Sequence, residues 1–467
     1  LNISDNKITC STPYRNQICV RGRFGIAPLV NHPKRATKPM IKKDGQPVEV
    51  DWEQALKFVE QRLKKHRNRT GILFSPQLTT EAIDKTYSIA DSLGAKITAP
   101  IDLHDSVSPL KLNQIEGNPA FIIVNTDMVG DFAVLLLKLC KKFKDKAIFI
   151  VVGADGNSST RFADMVLNPT PGTEHDLLKL LTDPKKTSYK CGVPAADIKH
   201  AKIMLEDRNI YLIYNTGNFH SADSGKSVKT IPLYSQVNAP QIAKTGLDDT
   251  YEGILDNKRI DCLYLIGAAP KLHREYKTII VQDSFLPDFD FDVFLPAATF
   301  AETSGSIIDI EGKKKRVRKA IEPAGKSQSD EWIIDALARI MNTRLKKTKK
   351  RSKLKRKKRT ARIVTSNQYP LQLIVRENTY GYRNKPLSAI LKGFDRMRHD
   401  QYIWLNERTA KKYKLQNGMN ANVVSRHTVL TLPVKINPEF PDRAVLIYYH
   451  PSMGHICNEP VRLECTR

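Results

Sequence analysis

Redox or metal-assisted chemistry needs a metal ligand and a nearby acid–base group, and few residues here qualify. The thiols nearest the start are Cys10 and Cys19, the latter in Ile18-Cys19-Val20-Arg21-Gly22-Arg23-Phe24-Gly25. An inert half-buried thiol is the plain reading of Cys19. The stretch Ile97 to Ile115 holds no cysteine, and His104 is its one histidine, suited to a surface or capping role. Acidic candidates are Glu302, just after a run of small residues, and Glu174 in Pro171-Gly172-Thr173-Glu174. That second run also reads as a β-turn and helix cap, with Thr173 as N-cap and Asp176 at N3. Near the end, Pro451 to Asn458 brings Met, Gly, His, Cys and Asn together. No metal ligand for catalysis stands out, so we expect no catalytic residue.

The elements that would position these residues are legible. Val293-Phe294-Leu295 is a buried strand ending at Pro296, followed by Ala297, Ala298, Thr299, Glu302 and Gly305. Small residues at the carboxyl end of a strand let a ligand or another backbone come close. A turn at Glu311-Gly312 and a basic strand-like segment, Lys313 to Lys319, lead to a helix opening at Asp330-Glu331-Trp332, with Asp330 as its expected N-cap. Upstream, Asp51 caps a helix whose apolar residues Trp52, Ala55, Leu56, Val59 and Leu63 keep a helical period. Buried runs at Gly71–Phe74, Ala120–Val124, Ala147–Val152, Ile210–Tyr214, Ile260–Ile266 and Ile279–Asp283 alternate with helical stretches, the βα pattern of parallel sheets. Tyr369 to Arg467 reads as all β.

The chain has 467 residues, enough for two to four domains. No apolar run reaches about 18 residues, so no transmembrane helix is expected, and no secretory signal is visible. The sequence starts at Leu1 in mid-pattern, which reads as lacking a natural N-terminus. Seven scattered cysteines suggest a reducing compartment, not a disulfide framework. Net charge is +26, about half of it in Arg344 to Arg362, which holds 13 basic residues and no acid. Such a block reads as a solvated linker. Without interleaved aromatics it is a poor nucleic-acid contact.

As an ordered string, Asp292 to Trp332 resembles the signature of the molybdopterin oxidoreductase superfamily. Its members include formate dehydrogenase catalytic subunits and the 75 kDa (G-type) iron–sulfur subunit of respiratory NADH dehydrogenase, complex I. Ile18 to Gly25, followed by His32-Pro33-Lys34-Arg35, resembles the superfamily's iron–sulfur domain. The resemblance makes Cys19 the fourth ligand of a 4Fe–4S cluster, whose other three thiolates would lie upstream, and puts Arg21 where a Lys sits between cluster and pterin. It also makes Gly172, Thr173, Glu174 and Asn458 pterin-binding positions. Leu373 to Ser388 looks closer to the G-type subunits.

The resemblance implies an α/β fold of Rossmann-like parallel-sheet lobes plus a C-terminal double-psi β-barrel. The expected domains are 1–46 (a remnant of the iron–sulfur domain), 47–104 with 255–342 (one α/β lobe), 105–254 (a second lobe), 343–363 (a basic linker) and 364–467 (the barrel). The function it implies is a non-catalytic portion of an NADH dehydrogenase iron–sulfur subunit. In that reading molybdopterin is absent, and a 4Fe–4S cluster would be completed by an upstream segment. Partners would be other subunits of a respiratory complex, at the cytoplasmic face of a bacterial inner membrane or the mitochondrial matrix side. The rival is a molybdenum or tungsten bis-pterin oxidoreductase such as formate dehydrogenase.

Overall fold

The computed structural model describes residues 1–13, 17–101, 112–153, 158–183, 191–215, 228–233, 237–270, 272, 274–346, 351, 366–377, 381–383, 385–391, 402–425, 429–438, 440–449 and 460–465. They fall into two compact units. The first comprises residues 1–102, 236–355 and 380–396; the second comprises 103–235, 356–379 and 397–467. His104, Asn458 and most of the basic block 344–362 lie outside the described residues.

The first unit is built on a seven-stranded sheet. Its strand order is Gln46–Glu49, Met40–Lys43, Val293–Pro296, Thr278–Asp283, Cys262–Ile266, Thr70–Phe74, Lys96–Thr98. The last five run parallel, and the first two form an antiparallel edge hairpin. Thr70–Phe74, Cys262–Ile266 and Thr278–Asp283 are buried along their whole length, as strands covered on both faces must be. The helix Trp52–Lys65 buries the expected Ala55, Leu56, Val59 and Leu63 and is capped by Asp51, which accepts the Gln54 amide at 2.7 Å. Thr80–Leu93 is capped in the same way by Thr79.

The helix Asp330–Ile340 differs from expectation at its start. Ser329, not Asp330, is the N-cap: its extended backbone lets the hydroxyl accept the Trp332 amide at 3.1 Å. Asp330 is thereby the first helical residue, and its carboxylate turns inward, 5% exposed. Within the basic segment, Lys314–Val317 is a strand as expected, and it pairs antiparallel with Gly305–Ile308 in a hairpin.

The second unit holds a five-stranded parallel sheet in the order Lys229–Leu233, Asn209–Asn215, Pro119–Val124, Ile148–Val152, Met165–Leu167. One face buries Ile122, Val124, Ile150 and Val152 with Leu177, Leu178 and Leu181 of the helix Glu174–Thr182. On the other, Phe121 contacts Phe143, Phe149 and Tyr211 at ring-centroid distances of 5.3–5.9 Å. The C-terminal strands close into a six-stranded barrel, Leu371–Glu377, Ala444–Tyr449, Ile403–Leu405, Val429–Ile436, Asn420–Val424 and Pro460–Cys465. Its core is Leu373, Ile403, Leu405, Val434, Val445 and Ile447. No helix is long and apolar enough to cross a membrane among the described residues.

Candidate functional site

Ligands of open α/β sheets bind outside the carboxyl ends of the parallel strands. In the first unit those ends carry Ser75, Gly267, Asp283 and Ser284, and Ala297 and Ala298. The small residues leave room as expected, but side chains of the same chain enter it. Tyr382, the last residue of the short strand Gly381–Tyr382, and Arg383, on the turn that follows, are 7% and 4% exposed. Arg383 donates from Nη2 to Asp330 Oδ2 at 2.5 Å and to the Ala298 carbonyl at 3.3 Å, and its Nη1 lies 4.0 Å from Asp283 Oδ1. Its backbone amide donates to Gln77 Oε1 at 3.0 Å. Burial disfavours the charged guanidinium, but Asp330, together with Tyr382 and Asp283, outweighs it and holds Arg383 above its ordinary pKa.

A second layer fixes Asp330. Gln282 Nε2 donates to Asp330 Oδ1 at 2.8 Å, while Gln282 Oε1 accepts from the Tyr264 hydroxyl at 2.5 Å. Burial pushes the Tyr264 hydroxyl far up its titration range, so it stays a donor. Tyr382 stands beside Ser284, their hydroxyls 3.4 Å apart, and lies edge-on to Phe285 and Phe300.

Glu302, the acid after the small-residue run, is enclosed as well. Arg35 donates to both its oxygens at 2.7 Å, with side chains 3% and 1% exposed. The same carboxylate accepts the Thr299 amide at 2.7 Å, the Thr299 hydroxyl at 3.0 Å and the Ala324 amide at 3.0 Å. This pair joins the His32-Pro33-Lys34-Arg35 run to the strand–turn segment 267 residues away.

The residues singled out in the sequence lie in separate places. Cys19 is half-buried two residues before the π-helical turn Arg21–Gly25, and Arg21 is the first residue of that turn. Cys10 sits on the strand Lys7–Cys10 with its sulfur accepting from Asn2. Among the described residues, no group of three or more His, Cys, Asp or Glu side chains could hold a metal ion. Cys19 supplies one thiolate where a 4Fe–4S cluster takes four, so the residues present do not make up a cluster site.

Gly172, Thr173 and Glu174 form a closed turn in the second unit. Glu174 Oε2 accepts the Gly172 amide at 2.9 Å, and its Oε1 accepts from Asn125 at 3.3 Å. Burial pushes the Glu174 carboxyl above the usual range despite these bonds. Thr173 stands at the helix start but makes no side-chain cap. Its hydroxyl donates to the Thr170 carbonyl at 2.6 Å and lies 3.1 Å from the Cys191 carbonyl, so the expected capping bond is not formed.

A pterin dinucleotide does not fit the first unit's crevice as it stands. Arg383 and Tyr382 fill the carboxyl edge, and Gly267 approaches Arg383 so closely that a Cβ on it would lie 3.1 Å from the arginine Cδ. Arg383 and Asp330 were not flagged from sequence as a pair. The cue available was an acid beside a better-placed serine cap.

Comparisons with known proteins agree with the architecture. The family model described as Molybdopterin oxidoreductase matches residues 35–184 and 209–340, and that of the Molydopterin dinucleotide binding domain matches 387–463. A G-type subunit of the NADH-quinone oxidoreductase of Rhizobium meliloti is 22% identical over 70% of this chain and 50% of its own length. The F420-dependent formate dehydrogenase 2 alpha chain of Methanococcus maripaludis is 22% identical over 73% of this chain and 68% of its own length. The NADH-ubiquinone oxidoreductase 75 kDa subunit of Reclinomonas americana is 22% identical over 67% of this chain and 50% of its own length. This chain thus spans about half the length of the NADH oxidoreductase subunits it matches. Acetylene hydratase from Pelobacter acetylenicus shares the fold, with a TM-score of 0.69 at 12% identity, over 93% of this chain and 88% of that one. With two of its domain types matched across more than half the sequence, the chain belongs to the molybdopterin oxidoreductase family.

Proposed function

We propose that this chain is the molybdopterin-oxidoreductase-like portion of an NADH:quinone oxidoreductase iron–sulfur subunit and carries out no redox step itself. It braces the segments that conduct electrons from NADH toward quinone, within a respiratory complex. Its place is peripheral, on the cytoplasmic face of a bacterial inner membrane or on the mitochondrial matrix side. Cys19 would be one thiolate of a 4Fe–4S cluster whose other ligands come from outside this sequence.

The observation that supports this reading most is the state of the motif acids. Glu302 and Asp330 are buried and paired with Arg35 and Arg383 at 2.5–2.7 Å. A carboxylate that must take or give a proton has to reach its substrate, and these two face arginines of their own chain. The G-type relative of Rhizobium meliloti and the 75 kDa relative of Reclinomonas americana point the same way.

The formate dehydrogenase relative, of which 68% is covered, favours a second reading: a molybdenum or tungsten bis-pterin oxidoreductase. Metal analysis of the purified native complex separates the two. Iron without molybdenum or tungsten is the expected result. Molybdenum or tungsten stoichiometric with this chain overturns the non-catalytic reading.

A further inference from the structure

We propose that Tyr382 and Arg383 are a built-in occupant of the carboxyl-edge crevice in the first unit, which is thereby set to hold a cation and to reject a phosphate-bearing ligand. This rests on the non-catalytic reading and deepens it.

The first support is charge. Asp283 and Asp330 are 2% and 5% exposed and flank the same space, at 4.0 and 2.5 Å from the Arg383 guanidinium. Charges buried this deeply must be compensated: Arg383 pairs directly with Asp330 and stands at ion-pair range of Asp283, which also accepts the Ser284 amide at 2.6 Å. Were Arg383 displaced, an incoming phosphate would meet two carboxylates in a poorly solvated pocket, where like charges repel strongly.

The second support is the backbone. Phosphate sites on such sheets are made of free amide groups at the strand–helix turn. Here four amides along the edge are already committed: Ser75 to the Ile266 carbonyl at 2.8 Å, Gly267 to the Gln282 carbonyl at 2.7 Å, Ala297 to the Asp283 carbonyl at 2.9 Å, and Ala298 to the Gln328 carbonyl at 2.8 Å. Thr299 donates to the Glu302 carboxylate. The third is fit. Tyr382 covers Ser284, which is wholly buried, and Arg383 comes close enough to Gly267 that a Cβ there would crowd its Cδ at 3.1 Å.

The test uses Ser284→Cys in the full chain, with modification by N-ethylmaleimide followed by peptide mass spectrometry. Cys262, wholly buried in the same sheet with its thiol pushed up to about 12 by burial, reports whether the unit stays folded. The S284C thiol should label slowly, and adding Tyr382→Ala with Arg383→Ala should speed it about tenfold or more while Cys262 stays protected, since the site then opens without unfolding. Fast labelling of S284C in the otherwise intact chain overturns the proposal, as does no acceleration in the trimmed protein. If trimming unfolds the unit and exposes Cys262, the milder S284C/Y382L variant decides by the same criterion. Millimolar GDP should not slow labelling of the trimmed variant; protection by GDP would overturn the phosphate-rejecting half of the proposal. Fast labelling of S284C in a complex free of molybdenum and tungsten removes the built-in occupant and leaves the non-catalytic reading standing, whereas stoichiometric molybdenum removes that reading directly.

Discussion

Removing one partner of the Arg35–Glu302 pair should show what the motif glutamate is for. Each side chain is at most 3% exposed, and the pair is bidentate at 2.7 Å on both arms. Breaking such a buried pair by deleting one charge typically costs about 3–5 kcal/mol. The two deletions are not equal. With Arg35→Met, Glu302 keeps three donors, from the Thr299 amide and hydroxyl and the Ala324 amide. The cost should therefore lie near the lower end, about 3 kcal/mol. With Glu302→Leu, those two amides and the guanidinium lose their acceptor together, leaving Arg35 the Val30 carbonyl at 2.9 Å. That deletion should reach about 5 kcal/mol. The double variant should cost less than the sum by about 1–3 kcal/mol, because neither charge is then left alone.

Urea unfolding read by tryptophan fluorescence suits this measurement. Trp52 and Trp332 meet edge-on in the first unit, at 5.2 Å between ring centroids, so their emission follows the unit that contains the pair. A Glu302→Leu variant within about 1 kcal/mol of the parent would refute the reasoning, since an ordinary surface change costs no more than that. So would a Glu302→Gln variant of unchanged stability whose assembled complex no longer passes electrons, because the carboxylate would then be doing chemistry.

Three further outcomes follow from the same geometry. Ser329→Ala should cost about 1 kcal/mol, the usual loss of a helix cap, whereas Asp330→Ala should cost about 3–5 kcal/mol as one half of a buried pair; equal costs would restore Asp330 as the cap. Gly267→Ala should destabilise the first unit by about 1–2 kcal/mol from its left-handed backbone alone, since its φ is +61° and its Cβ would also crowd Arg383 and Ser75; a neutral effect in the same unfolding assay contradicts the close approach. His66 is buried, and burial holds its imidazole below the ordinary value of 6.5 although Asp261 favours the charge. The unfolded chain therefore binds its proton more readily than the folded one. Stability from this group is complete above pH 6.5 and falls as pH drops through the lower folded value, so His66→Gln should flatten the loss of stability as pH falls below about 6.5; an unchanged slope rejects the assignment.

Local features were legible in the sequence and distant ones were not. The period of Ala55, Leu56, Val59 and Leu63 gave the helix after Asp51 because the burial that orders it repeats every turn. The apolar runs ending in small residues gave the parallel strands, but not the Tyr382 and Arg383 side chains that enter at their carboxyl ends. The cap at Ser329 was missed because serine and aspartate cap equally well and stand side by side; what decides between them is the arginine that draws Asp330 inward. That arginine is 53 residues further on, and no periodicity links the two. Thr173 and Asp176 have the spacing of a capping box, yet the Thr173 hydroxyl goes to the carbonyls of Thr170 and Cys191. Cys191 comes after the helix, so a local pattern could not show the competition.

The two buried ion pairs share a logic that bears on the motif itself. Both acids, Glu302 and Asp330, belong to the stretch from Asp292 to Trp332 that carries the strongest family likeness. Both arginines come from far away in sequence, one from the N-terminal segment and one from the piece that returns after the basic block. The stretch thus works as an anchor that ties three parts of the first unit together, by charge pairing that a single substitution cannot mend. An anchor is needed whether or not a cofactor is present. That accounts for a motif resembling those of members that use molybdenum in a chain whose crevice is filled by its own tyrosine and arginine. The likeness in Asp292–Trp332 therefore speaks for shared architecture, and the chemistry has to be judged from what occupies the carboxyl edge.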